Sequence, residues 1–296
     1  MGGFTMLITI KNEKITVSAD TFGAQLMSIK GADGTEYLWQ GDPAYWQNRA
    51  PNLFPFIARL TEGKYIYDGR EYAMPNHGFA GKREFTAEVL DNDCAVFTLE
   101  SNDEIKEMYP FNFVFRVIYA LRDNSLDITY SVENTDDKRI YFAVGGHPGF
   151  CVPLEEGKKF SDYSLTFTDA CRPDRVGFTP SVFLSGVDEE YPLEDGKTLR
   201  LAHEKFDDDA IILKNMCREV TLCHKDGGRG LTVTYPDMPY LGIWHRPKTD
   251  APYVCIEPWS SLPSRQDIKE DLACKSDLVS LPAGMLYENT WSVTVF

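Results

Sequence analysis

The sequence predicts an all-β protein, a large antiparallel β-sandwich, on three observations. Short runs rich in β-branched and aromatic residues recur along nearly the whole chain. Polar turns separate them, among them Gly31-Ala32-Asp33-Gly34, Asp68-Gly69 and Asp123-Asn124. No segment keeps apolar residues at i, i+3, i+4 and i+7 for three turns. Many short strands with almost no helix suit two packed sheets. No Pro/Ser/Gly-rich linker divides the 296 residues, so one domain over 1–296 is expected.

Taken in order, residues 7–20 read as an opening hairpin about Lys11-Asn12-Glu13, and 24–30 and 37–39 as two short strands. Residues 52–60 are apolar but carry Pro55, which lacks a ladder donor, so they read as irregular or edge structure ending in Arg59. Residues 64–74 repeat the hairpin, and strands follow at 85–90, 95–100, 113–121 and 126–132. The stretch 141–150 starts as a strand and breaks at Gly145-Gly146. The second half adds Tyr163–Phe167, 210–213, 220–223, 231–235, 241–244, 253–256 and 291–296. Residues 267–274 form the best helical candidate, and it is short.

Composition narrows the function. Hydrophobic residues make up 43% of the chain, enough for a sizeable core, and 13% are aromatic, which suits sheets and sugar-stacking surfaces alike. Lys and Arg number 30 against 45 Asp and Glu, a formal charge of −15 that repels nucleic acid and anionic lipid. Seven scattered cysteines form no CxxC pair, so no zinc knuckle is indicated and a reducing compartment is expected. No apolar run approaches the roughly 20 residues that span a bilayer. The opening Met1-Gly2-Gly3-Phe4-Thr5-Met6 has no leader or myristoylation pattern. A soluble cytoplasmic protein is expected, as a monomer or homodimer without nucleic-acid or membrane partners.

Three short polar stretches stand out: Pro75-Asn76-His77-Gly78-Phe79-Ala80, Gly145-Gly146-His147-Pro148, and Cys255-Ile256-Glu257-Pro258-Trp259. Pro148 pushes His147 toward an extended backbone, and the glycines clear one side for close approach. An imidazole with an ordinary pKa of about 6.5 exchanges protons near neutrality. Each stretch also has a plain structural reading. His147 caps a strand, His77 satisfies loop backbone groups, and Glu257 pairs with Arg265 at a sheet edge. Together they offer a general acid and a general base, with burial beside Trp259 raising the Glu257 pKa.

In this order the stretches resemble the aldose 1-epimerases, or galactose mutarotase-like proteins, and most closely the LacX-like branch. The resemblance runs from the opening hairpin to the Leu281-Pro282-Ala283-Gly284 turn. It implies a β-supersandwich and conversion of the α and β anomers of a free hexose, without cofactor or metal. It implies Glu257 as general base, His147 as general acid and His77 as a second histidine near the reacting oxygens. Arg59 and Asn76 fall at sugar-binding positions, and Trp244 and Trp259 are stacking walls, Trp244 equally a core residue. A sugar-binding carboxylate falls within Asp207-Asp208-Asp209, and Asp209 is favoured because the apolar strand starts directly after it. Hexose-6-phosphate members carry an arginine after Ala80. Gly81 stands there, followed by Lys82 and Arg83, so a phosphosugar role ranks second. A non-catalytic carbohydrate-binding or regulatory protein on the same fold ranks third.

Overall fold

Alternation of side chains builds the sheets. In the Phe113–Arg122 strand, Phe113, Phe115, Val117, Tyr119 and Leu121 are buried while the residues between them reach solvent. The neighbouring Ser125–Asn134 strand turns Leu126, Ile128, Tyr130 and Val132 inward. On the opposite face Thr129 and Thr290 share a hydroxyl hydrogen bond of 2.7 Å across a strand pair. This computed structural model describes residues 6–296. The opening residues 1–5, read above as carrying no leader, lie outside the described residues. Strands take up 45% of the chain, well above the roughly 20–25% of an average globular protein.

Two antiparallel sheets dominate. The nine-stranded sheet runs Thr198–Arg200, Tyr163–Phe167, Glu219–His224, Gly230–Thr234, Leu286–Val295, Ser125–Asn134, Phe113–Arg122, Cys94–Glu100, Thr86–Asp91. Its latest strand in sequence, Leu286–Val295, therefore sits in the middle, bridging strands from the two halves of the chain. The eight-stranded sheet runs Glu189–Glu190, Asp174–Arg175, Ile211–Lys214, Tyr240–Trp244, Tyr253–Trp259, Gly145–Gly146, Asn52–Leu53, with Gly149–Cys151 also on Tyr253–Trp259. The Tyr253–Trp259 strand is buried at every position, so it reads as a continuous apolar run in which Glu257 is the exception.

The sheets meet through aromatic and polar contacts. Phe54 stacks on Phe115 with centroids 4.3 Å apart. Asn52, on the edge strand, accepts from the Tyr130 hydroxyl at 3.0 Å and donates to Ala24 O at 2.8 Å. Gly146, its ladder partner, lies so close to the opposite layer that a Cβ there would sit 2.5 Å from the Trp291 ring. The glycines thus admit core side chains from below, rather than a group approaching the imidazole as the sequence suggested.

Three readings change. Residues 267–274 form turns, not a helix, because their backbone pairs elsewhere: Ile66 N–H donates to Glu270 O and Leu272 N–H to Ile66 O, each at 2.8 Å. The α-helix is Asp103–Met108, started by Asn102, whose side chain accepts from Ile105 N at 2.9 Å. Residues 37–39 make a single bridge, Leu38 to Phe150, instead of a strand. The edge reading of residues 52–60 holds: Asn52–Leu53 ends the eight-stranded sheet and the rest is irregular.

Gly78 offers a direct test of this packing. It has φ +74°, and a Cβ there would lie 2.1 Å from the Phe54 carbonyl oxygen. Gly69 has φ +70° with nothing within 4 Å. Gly69→Ala should cost about 1 kcal/mol from backbone strain alone, and Gly78→Ala about 3 kcal/mol or more, since strain and clash add. Urea midpoints at unchanged m check this; equal losses at both sites would contradict the close approach.

Candidate active site

The side chains that the sequence put forward for catalysis and sugar binding (Glu257, His147, His77, Arg59, Asn76, Asp209, Trp244 and Trp259) all line one cavity of about 1120 Å3. Its floor is the Tyr253–Trp259 strand. Glu257 lies opposite Gly242 in register, and a Cβ on Gly242 would come 3.2 Å from both Glu257 Cβ and the Trp259 ring. Glycine there makes room for a carboxyl and an indole side by side. On the other side, His147 follows Gly145–Gly146 and donates its backbone N–H to Pro51 O at 3.1 Å. This brings His147 Nε2 within 3.3 Å of Glu257 Oε2.

The pair is buried and incompletely satisfied. Glu257 is 1% exposed. Glu257 Oε2, His147 Nδ1 and Trp259 Nε1 are buried without a well-formed hydrogen bond. Three such atoms converging in one cavity mark a place where a polar ligand completes the bonding. Burial pushes the Glu257 carboxyl well above the usual carboxylate range; the Asp209 carboxylate adds to the rise, and the Trp259 indole opposes it. Burial pulls the His147 imidazole well below its ordinary value, and His77 adds to the fall. Both shifts favour the neutral carboxyl and the neutral imidazole over the ion pair.

His77 has a defined tautomer. Its Nδ1 accepts from Ala58 N at 3.1 Å while its backbone N–H donates to Ala58 O at 2.9 Å. The ring proton is thereby placed on Nε2. Burial, with the charges of Arg59 and Lys82, lowers its pKa to about 4, so His77 is a neutral donor. The backbones of Ala58, His77 and Asp209 have φ of +54°, +63° and +87°, an uncommon cluster of left-handed non-glycine residues.

The remaining predicted residues stand around this centre. Arg59 is exposed at the rim, where its Nη1 donates to Ser181 O at 3.3 Å. Asn76 is exposed beside it. Asp207, Asp208 and Asp209 all line the cavity, and Asp209 is the one whose charge reaches Glu257. Trp244 meets His147 edge-on at 5.6 Å and is half-buried, a wall rather than deep core. Trp259 forms the other wall. Glu257 does not pair with Arg265, which instead binds Glu270 through two contacts of 3.0 Å. Arg83 binds Glu104 on the helix and lies outside the cavity lining.

The sequence reading missed Trp46, Arg175 and Arg246, all in the lining. Arg246 was within reach, since it follows Trp244 by two residues and so shares its face in an extended backbone. Trp46 and Arg175 lie in stretches with no motif around them. His147, Cys255 and Glu257 also bring a nitrogen, a sulfur and an oxygen atom within 4.8 Å of one another. No helix among the described residues is long and apolar enough to cross a membrane.

Comparisons place these features in a family. The sequence profile described as Aldose 1-epimerase matches residues 6–270. The plasmid-encoded protein LacX of Lactococcus lactis subsp. lactis is 38% identical over 265 residues, 87% of this chain and 88% of that protein. A galactose mutarotase related enzyme from Lactobacillus acidophilus superposes with a TM-score of 0.92 at 33% identity, covering 98% of this chain and 97% of that one. A galactose mutarotase-like protein from Lactobacillus casei gives 0.93 at 32% identity, covering 98% and 100%. The protein, with this fold and this cavity, belongs to the aldose 1-epimerase family.

Proposed function

We propose that the protein is a mutarotase, interconverting the α and β anomers of a free hexose by opening and re-closing its ring. The observation that carries this reading is the buried, unsatisfied His147–Glu257 pair, 3.3 Å apart on the cavity floor. Glu257 as carboxylate takes the proton of the anomeric hydroxyl while His147 as imidazolium gives one to the ring oxygen. The C1–O5 bond breaks, leaving an aldehyde, and rotation about C1–C2 presents its other face. Re-closure returns both protons. His77 donates Nε2–H to a reacting oxygen, and Asp209, Arg59 and Asn76 bind hydroxyl groups. Trp244 and Trp259 hold the ring in place.

The working microstate, carboxylate with imidazolium, carries the same single proton as the favoured neutral pair. kcat/KM should therefore follow a bell against pH. Its acid limb marks uptake of a second proton, mainly at His147, and its alkaline limb loss of the shared proton, mainly from Glu257. This reverses the simple assignment, in which an ordinary carboxylate governs the acid limb.

A hexose-6-phosphate reading has one observation in its favour: Arg175 and Arg246 line the cavity, and neither is in an ion pair among the described residues. Against it, three arginines share the lining with five carboxyl groups, and Arg175 sits across a ladder from Glu189. Polarimetry of fresh α-glucose, α-galactose and their 6-phosphates decides between the readings. Free hexoses should turn over faster. A kcat/KM at least tenfold higher for the phosphates, about 1.4 kcal/mol of transition-state preference, would reverse the order and point to Arg175 and Arg246.

Glu257→Gln and His147→Asn should each lower kcat by about 10²–10⁴-fold, and the double variant by less than the product. Folded Glu257→Gln protein with normal mutarotation would rule the assignment out in favour of a binding protein. Infrared difference spectra between wild type and Glu257→Gln should contain a protonated carboxyl band that persists above the pH at which an ordinary carboxyl ionises. His77 should stay neutral until about pH 4 in histidine ¹⁵N NMR, with its proton on Nε2. Its folded pKa lies below the unfolded value, so the unfolded chain binds more protons in between. Stability should accordingly fall as pH drops from 6.5 toward about 4.

A further inference from the structure

Trp46 belongs to no motif, yet it is the ring packed on His147. The centroids are 4.9 Å apart with planes inclined by 30°, a face contact rather than an edge contact. The indole is fixed from several sides. Its backbone N–H donates to Asp42 O at 2.9 Å, and its carbonyl accepts from the Trp39 indole at 2.8 Å. Tyr253 stacks on it at 5.7 Å and 26°, and Trp244 meets it edge-on at 5.6 Å. Gly149 lets it settle there, since a Cβ on Gly149 would lie 3.2 Å from Trp46 Cζ3. One loop neighbour, Tyr45, ties the segment to Asp250 through a 3.0 Å hydrogen bond.

We propose that Trp46 is a positioning residue for His147: its π face holds the imidazole toward Glu257 and stabilises the imidazolium over the neutral ring. A cation over an aromatic face is drawn to the ring quadrupole, most strongly by indole, and a neutral imidazole gains far less. The groups facing His147 leave this task open. Glu257 and Cys255 come from the Tyr253–Trp259 strand, the first buried and favoured neutral, the second a buried thiol whose pKa burial raises. His77, from the 75–80 turn, disfavours a second positive charge. Trp46 is the ring laid over the imidazole, with Trp244 near-perpendicular to it, and so presents a face that favours the imidazolium. The stack thus enlarges the share of the carboxylate–imidazolium microstate without adding a proton to the site.

This inference rests on His147 acting as the acid of the proposed mutarotation, and the test separates the two. Trp46→Leu and Trp46→Phe are compared with wild type by polarimetric kcat and KM on glucose across pH, and by ¹⁵N NMR titration of His147 in the free protein. Trp46→Leu should lower kcat about 3- to 30-fold, leave KM within about twofold, and move the acid limb and the His147 titration to lower pH. Trp46→Phe should fall between, and carries the test if the leucine variant does not fold. A raised KM with unchanged kcat and an unmoved His147 titration would make Trp46 only a sugar wall and overturn the proposal. A shifted His147 titration with kcat and acid limb unchanged would keep the contact and overturn His147 as the acid, and with it the catalytic consequence drawn here.

Discussion

A carboxyl group in the middle of a strand that is buried on both faces is the constraint around which the site is arranged. Glu257 is almost wholly withdrawn from solvent at the base of the cavity, and a large neighbour opposite it would fill the space that its side chain needs. Gly242, opposite Glu257, answers this on one side, whereas Gly145, Gly146 and Gly149 on the other make room for Trp259, Trp291 and Trp46. Register decides the outcome, because a one-residue slip would turn Glu257 to the other face. Asn52 helps to hold that register, since it pairs with Gly146 on the edge strand and bonds to Tyr130 of the opposing sheet.

The same arrangement carries costs that a purely structural protein would avoid. Buried polar atoms without partners are unfavourable, as are left-handed non-glycine residues, at roughly 1–2 kcal/mol each. Ala58 and His77 offset part of this by exchanging two hydrogen bonds, so each strained residue fixes the other. The strain therefore yields a preset donor, His77 Nε2–H, that need not reorganise when a substrate arrives. Stability and function pull against each other here, and the surrounding aromatic packing supplies the margin.

Much of this was legible in the sequence because its signals are local. The β-branched and aromatic runs at 113–121 and 126–132 need no tertiary information, and both were read as strands. His77, His147 and Glu257 stood out because each sits in a short stretch whose glycine or proline constrains the backbone, and the fold brings the three into one cavity. The failures share the opposite cause. Residues 267–274 resemble a helix locally, but their backbone groups are claimed by Ile66, some 200 positions away. Trp46 matters only because Gly149, more than 100 residues later, leaves it room, and no pattern within its own loop reports that. The pairing of Arg265 with Glu270 was missed because both readings place a carboxylate within reach, and only the fold chooses between them.

The central place of Leu286–Val295 in the nine-stranded sheet bears on how the protein is made. Until that strand leaves the ribosome, the ten-residue Ser125–Asn134 and the five-residue Gly230–Thr234 each present an unpaired edge. Nascent chains would carry two half-sheets able to recruit each other wrongly or to pair with neighbouring chains on the same message. The interval between synthesis of Gly230–Thr234 and of Leu286–Val295 is thus the vulnerable one. A chaperone that shields strand edges would serve this protein more than one that binds loose side chains.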